Sequence, residues 1–248
     1  MHRKIRLLIA DNHMLVAEAC RHMLQPEFEV VDLVTDGRAL VRAALALKPD
    51  IAILEIALPQ LNGLDAARQI KRKSAYIRLI ITAASLESDV AVEAFRRGAS
   101  AYVSKQSRSD ELITAIRRVM HGKSYLSSLI ARETVDCLLQ QQNNNLSEKR
   151  ITPRQTEILQ LTVEGKTMKE IGETLSISPR TVAFHKYTMM ERLGIETNVG
   201  LLRFAIGNHI TPAPGSWAVI DRAGTKLVDT SNEVTRSRKA WANAAGRT

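Results

Sequence analysis

Residues 152–194 read TPRQTEILQLTVEGKTMKEIGETLSISPRTVAFHKYTMMERLG, and three helix starts and two short breaks are written into this stretch. Thr152 can cap a helix with Pro153 at its first position and Gln155 where a capping-box partner belongs; Gly165 ends it. Thr167, with Glu170 three residues on, opens a second helix of barely two turns that runs to Leu175. After Ser176 and Ile177, Ser178 caps a third helix that starts on Pro179 and runs to Leu193, and Gly194 stops it. A short bracing helix, a tight turn and a longer helix make a helix-turn-helix unit.

At 100° per residue, Val182, Met189 and Leu193 fall on one side of the third helix, with Ile158, Leu161, Ile171 and Leu175 available on the other two to pack against it. The same wheel turns Arg180, Phe184, Tyr187, Thr188 and Glu191 outward, with Ala183 at the edge and Lys186 near the core boundary. Such a face can enter a major groove; the plainer alternative is a solvated helix surface. Phe184 reads either as a contact for a thymine methyl or as a partly buried anchor, while Arg180, Lys186 and Arg192 suit phosphate.

The stretch resembles the LuxR-type helix-turn-helix of NarL/FixJ response regulators. The match lies at Thr152-Pro153-Arg154, Glu157-Ile158-Leu159, Glu164-Gly165, Lys169-Glu170-Ile171, Leu175, Ile177-Ser178, Thr181-Val182, His185 and Leu193-Gly194. The resemblance spans residues 150–210 and implies a domain binding double-stranded DNA through Arg180, Thr181, Ala183, Phe184, His185, Lys186, Tyr187 and Arg192. The family commonly carries a lysine where Ala183 stands, a departure that leaves the target site open. After Gly194, Thr197 can cap a fourth helix with Val199, Leu202 and Ile206 along one side and Leu201 and Phe204 on another. In the family this helix pairs two copies, so a homodimer is expected; otherwise both apolar faces complete the monomer core.

Upstream, short apolar runs near 5–10, 29–34, 51–55, 77–82 and 101–104 alternate with amphipathic stretches. Five such repeats predict an α/β doubly wound parallel five-stranded sheet, flavodoxin-like, followed by the all-α domain. In this architecture chemistry gathers at the carboxyl ends of strands, where Asp11, Asn12, Glu55, Thr82 and Lys105 fall. The runs LLIADNH, PDIAILEIALPQLNG, IITAAS and GASAYVSK resemble a response-regulator receiver domain. That resemblance implies a phosphoacceptor aspartate at the end of the third strand, acidic Mg2+ ligands after the first, and Thr82 and Lys105 as the remaining pocket residues. Glu55 stands in place of the acceptor, Asn12 in place of the second acidic residue, and Gln106 in place of the proline after the lysine. A glutamate places its carboxylate one methylene further out, and an amide removes a charge from an oxygen-seeking ion.

The pocket is therefore read as degenerate, with at most weak residual Mg2+ binding at Asp11 and Glu55. Glu55 either reaches Lys105 or Thr82 and mimics the phosphorylated charge, or the pocket answers to another ligand, a partner protein or none, or phosphorylation persists. A histidine kinase or another regulatory protein is the candidate upstream partner. Tyr102 matches the position whose aromatic ring rotates between outward and inward states in many receivers; from sequence it has no assigned role.

The chain of 248 residues has 35 Lys and Arg against 26 Asp and Glu, a net charge of +9, which suits a nucleic-acid partner. Residues 147–210 hold only 9 basic against 7 acidic residues, so DNA binding there must rest on where charges sit. Cys20 and Cys137 lie in apolar contexts without metal-ligand spacing, and the basic N-terminus has too short an apolar run for export. Buried reduced thiols, a cytoplasmic location, no membrane contact and no cofactor are expected. The organisation read is 1–122 sheet domain, 123–149 linker helix and polar linker with QQQNNNLSEKR, 150–210 helical DNA-binding domain, and 211–248 a tail outside both resemblances. A hairpin is conceivable at 217–228, with Trp217 and Trp241 flagging tail exposure. A DNA-binding transcriptional regulator leads; a signalling adaptor is the alternative, and an autophosphotransfer enzyme a distant third.

Overall fold

The computed structural model describes residues 3–84, 86–135, 151–208, 210 and 211. Six strands, β1 (Arg6–Ala10), β2 (Glu29–Val34), β3 (Ile51–Glu55), β4 (Arg78–Ala83), β5 (Ala101–Ser104) and β6 (Tyr125–Leu126), form one parallel sheet in the order β2-β1-β3-β4-β5-β6. Helices α1 (Met14–Leu24), α2 (Gly37–Leu47), α3 (Gly63–Lys73), α4 (Ser88–Arg96) and α5 (Ser109–Met120) cover it. Period-2 alternation sorts the strand side chains into two cores. Leu7, Ile9, Ile51, Ile53 and Ile80 join Leu24 of α1 and Leu112 and Ile116 of α5. Leu8, Leu54, Leu79 and Ile81 join Leu40 of α2, Ile70 of α3 and Val90 of α4. Covered on both faces, β3 is buried at all five positions, which is why it reads as a continuous apolar run.

The sixth strand departs from the reading of a linker helix at the start of 123–149, although residues 131–135 are helical. Gly122 leaves α5 with φ +74°, and the chain turns onto the open edge of β5. There Tyr125 N donates to Ser100 O at 3.1 Å and Ser127 N to Tyr102 O at 2.9 Å. An unpaired sheet edge carries donors and acceptors that a two-residue strand satisfies, a pull helical periodicity cannot register. The polar linker of 140–150 and the proposed hairpin and tryptophans of the tail lie outside the described residues. No helix of the described residues is long and apolar enough to cross a membrane.

At the start of α3, Gly63 lies directly on the end of β3. A Cβ there would sit 2.1 Å from the Glu55 carbonyl oxygen, and backbone atoms on both sides leave little room to yield. Gly63→Ala is expected to cost about 3 kcal/mol, the upper part of the overpacking range, read as a lower urea midpoint with an unchanged slope.

The helical part comprises α6 (Pro153–Val163), α7 (Met168–Leu175), α8 (Pro179–Leu193) and α9 (Asn198–Gly207). Both expected capping boxes form, Thr152 with Gln155 and Thr167 with Glu170. Ser178 Oγ accepts from Thr181 N at 3.1 Å, and Gly194 closes α8 at φ +68°. Ile158, Leu161, Ile171, Leu175 and Val182 make one small core. Leu159, Met189, Met190, Leu201 and Ala205 make a second. Leu193 only flanks it; Met190, absent from the wheel reading, is buried in it beside Leu159 of α6 and Leu201 and Ala205 of α9. On α9, Leu201 is buried while Val199 stays exposed.

Candidate functional site

The turn between α7 and α8 is set by two residues. Ser176 caps α7 in the left-handed region, φ +53°, and Gly172 lets the chain fold back: a Cβ there would meet Ile177 O at 2.7 Å. Helix α8 thereby crosses α7 with its polar side free. Phe184 is 66% and Tyr187 59% exposed, so the ring of Phe184 is no core anchor. Its ring stacks edge-on with His185, centroids 5.7 Å apart. Arg180, Thr188, Glu191 and Arg192 are exposed, and Thr181, Ala183, His185 and Lys186 half-buried at the margin. Thr181 is partly committed to the cap, its hydroxyl 2.8 Å from that of Ser178. Among the described residues no carboxylate pairs with Arg180, Lys186 or Arg192, leaving three cations beside two aromatic rings for an anionic, ring-bearing ligand.

The second cluster lies at the carboxyl edge of the sheet, where Asp11 follows β1, Glu55 ends β3, Thr82 lies beside it in register on β4, and Lys105 follows β5. Lys105 Nζ sits between two carboxylates, 2.6 Å from Asp11 Oδ2 and 2.9 Å from Glu55 Oε2. Both acids are almost fully buried, at 4% exposure each. The Glu55 contact is charge to charge rather than an aligned hydrogen bond. Burial pushes the Glu55 carboxyl above its usual range, Lys105 opposes this, and Asp11 adds to it. Asn12 is half-buried with its Oδ1 lacking a hydrogen-bond partner among the described residues. Tyr102 is fully buried, and burial raises its hydroxyl pKa.

Sequence reading missed His13, the exposed residue after Asn12. Its Nδ1 lies 3.5 Å from Asp11 Oδ1 and 3.8 Å from Glu55 Oε2, and the three side chains offer ligand atoms within 4.8 Å of one another. The family's Mg2+ would draw on Asp11 and Glu55. Mg2+ demands oxygens in near-ideal octahedral geometry at about 2.0–2.1 Å. Here one oxygen of each carboxylate faces the Lys105 ammonium, Asp11 Oδ1 is turned to His13, and the amide of Asn12 adds no charge, so the arrangement fits that ion poorly. Cys20 is half-buried and free, with its thiol pKa raised chiefly by burial; Cys137 lies outside the described residues.

Residues 7–117 match the response regulator receiver domain family, and residues 149–205 the bacterial regulatory proteins of the luxR family. The chain is 32% identical over 208 residues to the transcriptional regulatory protein LiaR of Bacillus subtilis, covering 83% of this chain and 99% of that one. It is 28% identical over 211 residues to the response regulator UvrY of Escherichia coli K12, covering 84% and 97%. Among solved structures, a LuxR-family response regulator from Aurantimonas is 30% identical with a TM-score of 0.53, covering 55% of this chain and 99% of that one. Salmonella RcsB, at 24% identity and a TM-score of 0.57 over 82% and 97%, shares the fold, and RcsB dimers have been solved bound to DNA. With a receiver-type parallel sheet and a capped helix-turn-helix in one chain, the protein belongs to the LuxR-type, NarL/FixJ response regulators, a two-component family whose helix-turn-helix binds DNA.

Proposed function

We propose that this chain is a transcriptional regulator that binds double-stranded DNA as a homodimer, and that its receiver pocket holds a signalling state without aspartyl phosphorylation. The observation that carries the second part is the position of Lys105, whose ammonium bridges Asp11 and Glu55 at 2.6 and 2.9 Å. Glu55 is one methylene longer than the family's acceptor and already reaches the lysine that a phosphoryl group would otherwise engage. In-line phosphoryl transfer tolerates misplacement of about 1 Å poorly, so the longer arm removes the acceptor geometry while retaining the charge. The poor fit to Mg2+ supports the same reading, because Asn12 leaves the ion that would neutralise the developing charge one carboxylate short and Lys105 already occupies an oxygen of each remaining acid. The sheet domain, carried past residue 122 by β6, and the helical domain of 150–210 divide the work, the first sensing and the second reading DNA through Arg180, Thr181, Ala183, Phe184, His185, Lys186, Tyr187 and Arg192.

Incubation with a small-molecule phosphodonor and Mg2+ is expected to leave the protein unlabelled and its DNA affinity unchanged. Glu55→Ala is expected to weaken dimerisation and DNA binding about tenfold, within the usual range of coupling between sites. Stoichiometric, hydroxylamine-labile label at Glu55 would overturn the reading. So would Glu55→Ala binding DNA and dimerising as well as the wild type. If neither domain retained duplex DNA, the adaptor reading would take its place.

A further inference from the structure

Helix α6 is fastened to the sheet domain by a buried polar contact. Gln160 is 1% exposed, and both ends of its amide are spent on the loop between β3 and α3. Its Oε1 accepts from Asn62 N at 2.8 Å, and its Nε2 donates to Leu58 O at 2.9 Å and to Glu164 Oε1 at 2.9 Å. Glu164 in turn accepts from Gln60 N at 3.0 Å, and burial pushes its carboxyl above the usual range. At the other end of the same helix face, Glu157 accepts from Arg38 of α2 at 3.2 Å and from Gln69 of α3 at 3.3 Å. Paired buried amides specify one alignment, because any slippage leaves desolvated donors and acceptors unmade.

The gripped loop begins at the pocket. Asn62 caps α3 through Asp65 N, and Gly63 rests on the Glu55 carbonyl so closely that no Cβ fits. A shift of the Glu55 backbone therefore moves the Asn62 amide that Gln160 accepts from. The DNA-facing side of α8 takes no part in this contact: Arg180, Phe184 and Tyr187 are exposed while α6 is docked.

We infer that Gln160 forms an open clamp, which holds the helix-turn-helix on the loop after Glu55 in one orientation with its DNA face free. The state of the pocket then reaches the DNA-binding domain as a change of orientation, not as the uncovering of a blocked helix. This does not require Glu55 to mimic a phosphoryl group.

The test uses the full chain with Cys20 and Cys137 replaced by serine and spin labels at the exposed positions Arg108→Cys and Glu196→Cys. The expected wild-type result is one narrow inter-label distance. Gln160→Ala is expected to broaden it, and so is Arg38→Ala, which leaves the helix-turn-helix sequence intact should Gln160→Ala perturb α6 itself. Affinity for a single half-site duplex should change less than about fivefold in either variant, below the usual allosteric range. Glu55→Ala should also shift the distance, and adding it to Gln160→Ala should change nothing further, the non-additivity of residues on one route. A broad wild-type distribution, or a narrow one in both clamp variants, overturns the inference. A rise of about tenfold or more in half-site affinity does so too, since it would mean that docking blocks DNA. A Glu55→Ala shift of equal size with and without Gln160 overturns the route from pocket to clamp.

Discussion

Lys105→Met is expected to destabilise the sheet domain by about 3–5 kcal/mol, the usual consequence of removing one partner from a buried ion cluster. Methionine keeps the unbranched apolar stem but removes the ammonium that lies 2.6 Å from Asp11 and 2.9 Å from Glu55. Both carboxylates have side chains only 6% exposed, so two like charges would remain with little water to screen them. The pH dependence follows from the direction of the Glu55 shift. Its carboxyl is already raised by burial and by Asp11, and losing the opposing lysine raises it further. An acid whose pKa is higher in the folded than in the unfolded protein makes stability fall as pH rises from the unfolded value through the folded one. The loss measured by urea denaturation should therefore be smaller at pH 5 than at pH 8. Adding Glu55→Gln should recover much of it by removing one of the stranded charges. A loss below about 1 kcal/mol at pH 8 would place Lys105 among ordinary surface ion pairs and remove the support for a preformed signalling pocket.

Duplex DNA binding should be steep in salt. If Arg180, Lys186 and Arg192 each reach a phosphate in both copies of a dimer, about six counterions are released, and affinity should fall about 1,000-fold between 50 and 200 mM salt. Lys186→Ala and Arg192→Ala are expected to weaken binding to all sequences alike and to lower the salt slope by about 1 each per copy. Phe184→Ala and Tyr187→Ala should leave the slope unchanged and flatten sequence preference, by about 1–3 kcal/mol at each base pair they contact. Their exposure at 66% and 59% makes this a clean comparison, because neither ring supports the core. Binding selection across random duplexes with the four variants measures both quantities. Equal loss of slope in all four would mean that the rings position the protein instead of reading bases.

The helix-turn-helix was largely legible because its signals are local. A capping box needs residues three apart, and Thr152, Gln155, Thr167 and Glu170 all form theirs. The outward face of α8 follows from helical angle alone, and Arg180, Phe184, Tyr187, Thr188 and Glu191 are exposed as expected. What failed is informative for the same reason. Whether Met190 or Leu193 is buried depends on how α8 and α9 both pack on α6, and the pairing of Tyr125 and Leu126 depends on an edge created by strands elsewhere. His13 gave no periodic or motif signal, and reaches Glu55 only because β1 and β3 are neighbours in the sheet.

Apolar periodicity and helix caps thus determined the two fold classes and named the pocket residues, since each rests on a local pattern or on a position at a strand end. Tertiary structure decided what those residues do to one another. Glu55 and Lys105 are 50 positions apart in sequence, and the 2.9 Å between them exists because parallel strands deliver their carboxyl ends to one edge. Gln160 and Asn62 are 98 positions apart, and their buried contact exists only once both domains have folded and a helix face meets a loop. Distances of that kind depend on packing between elements, which no local pattern encodes.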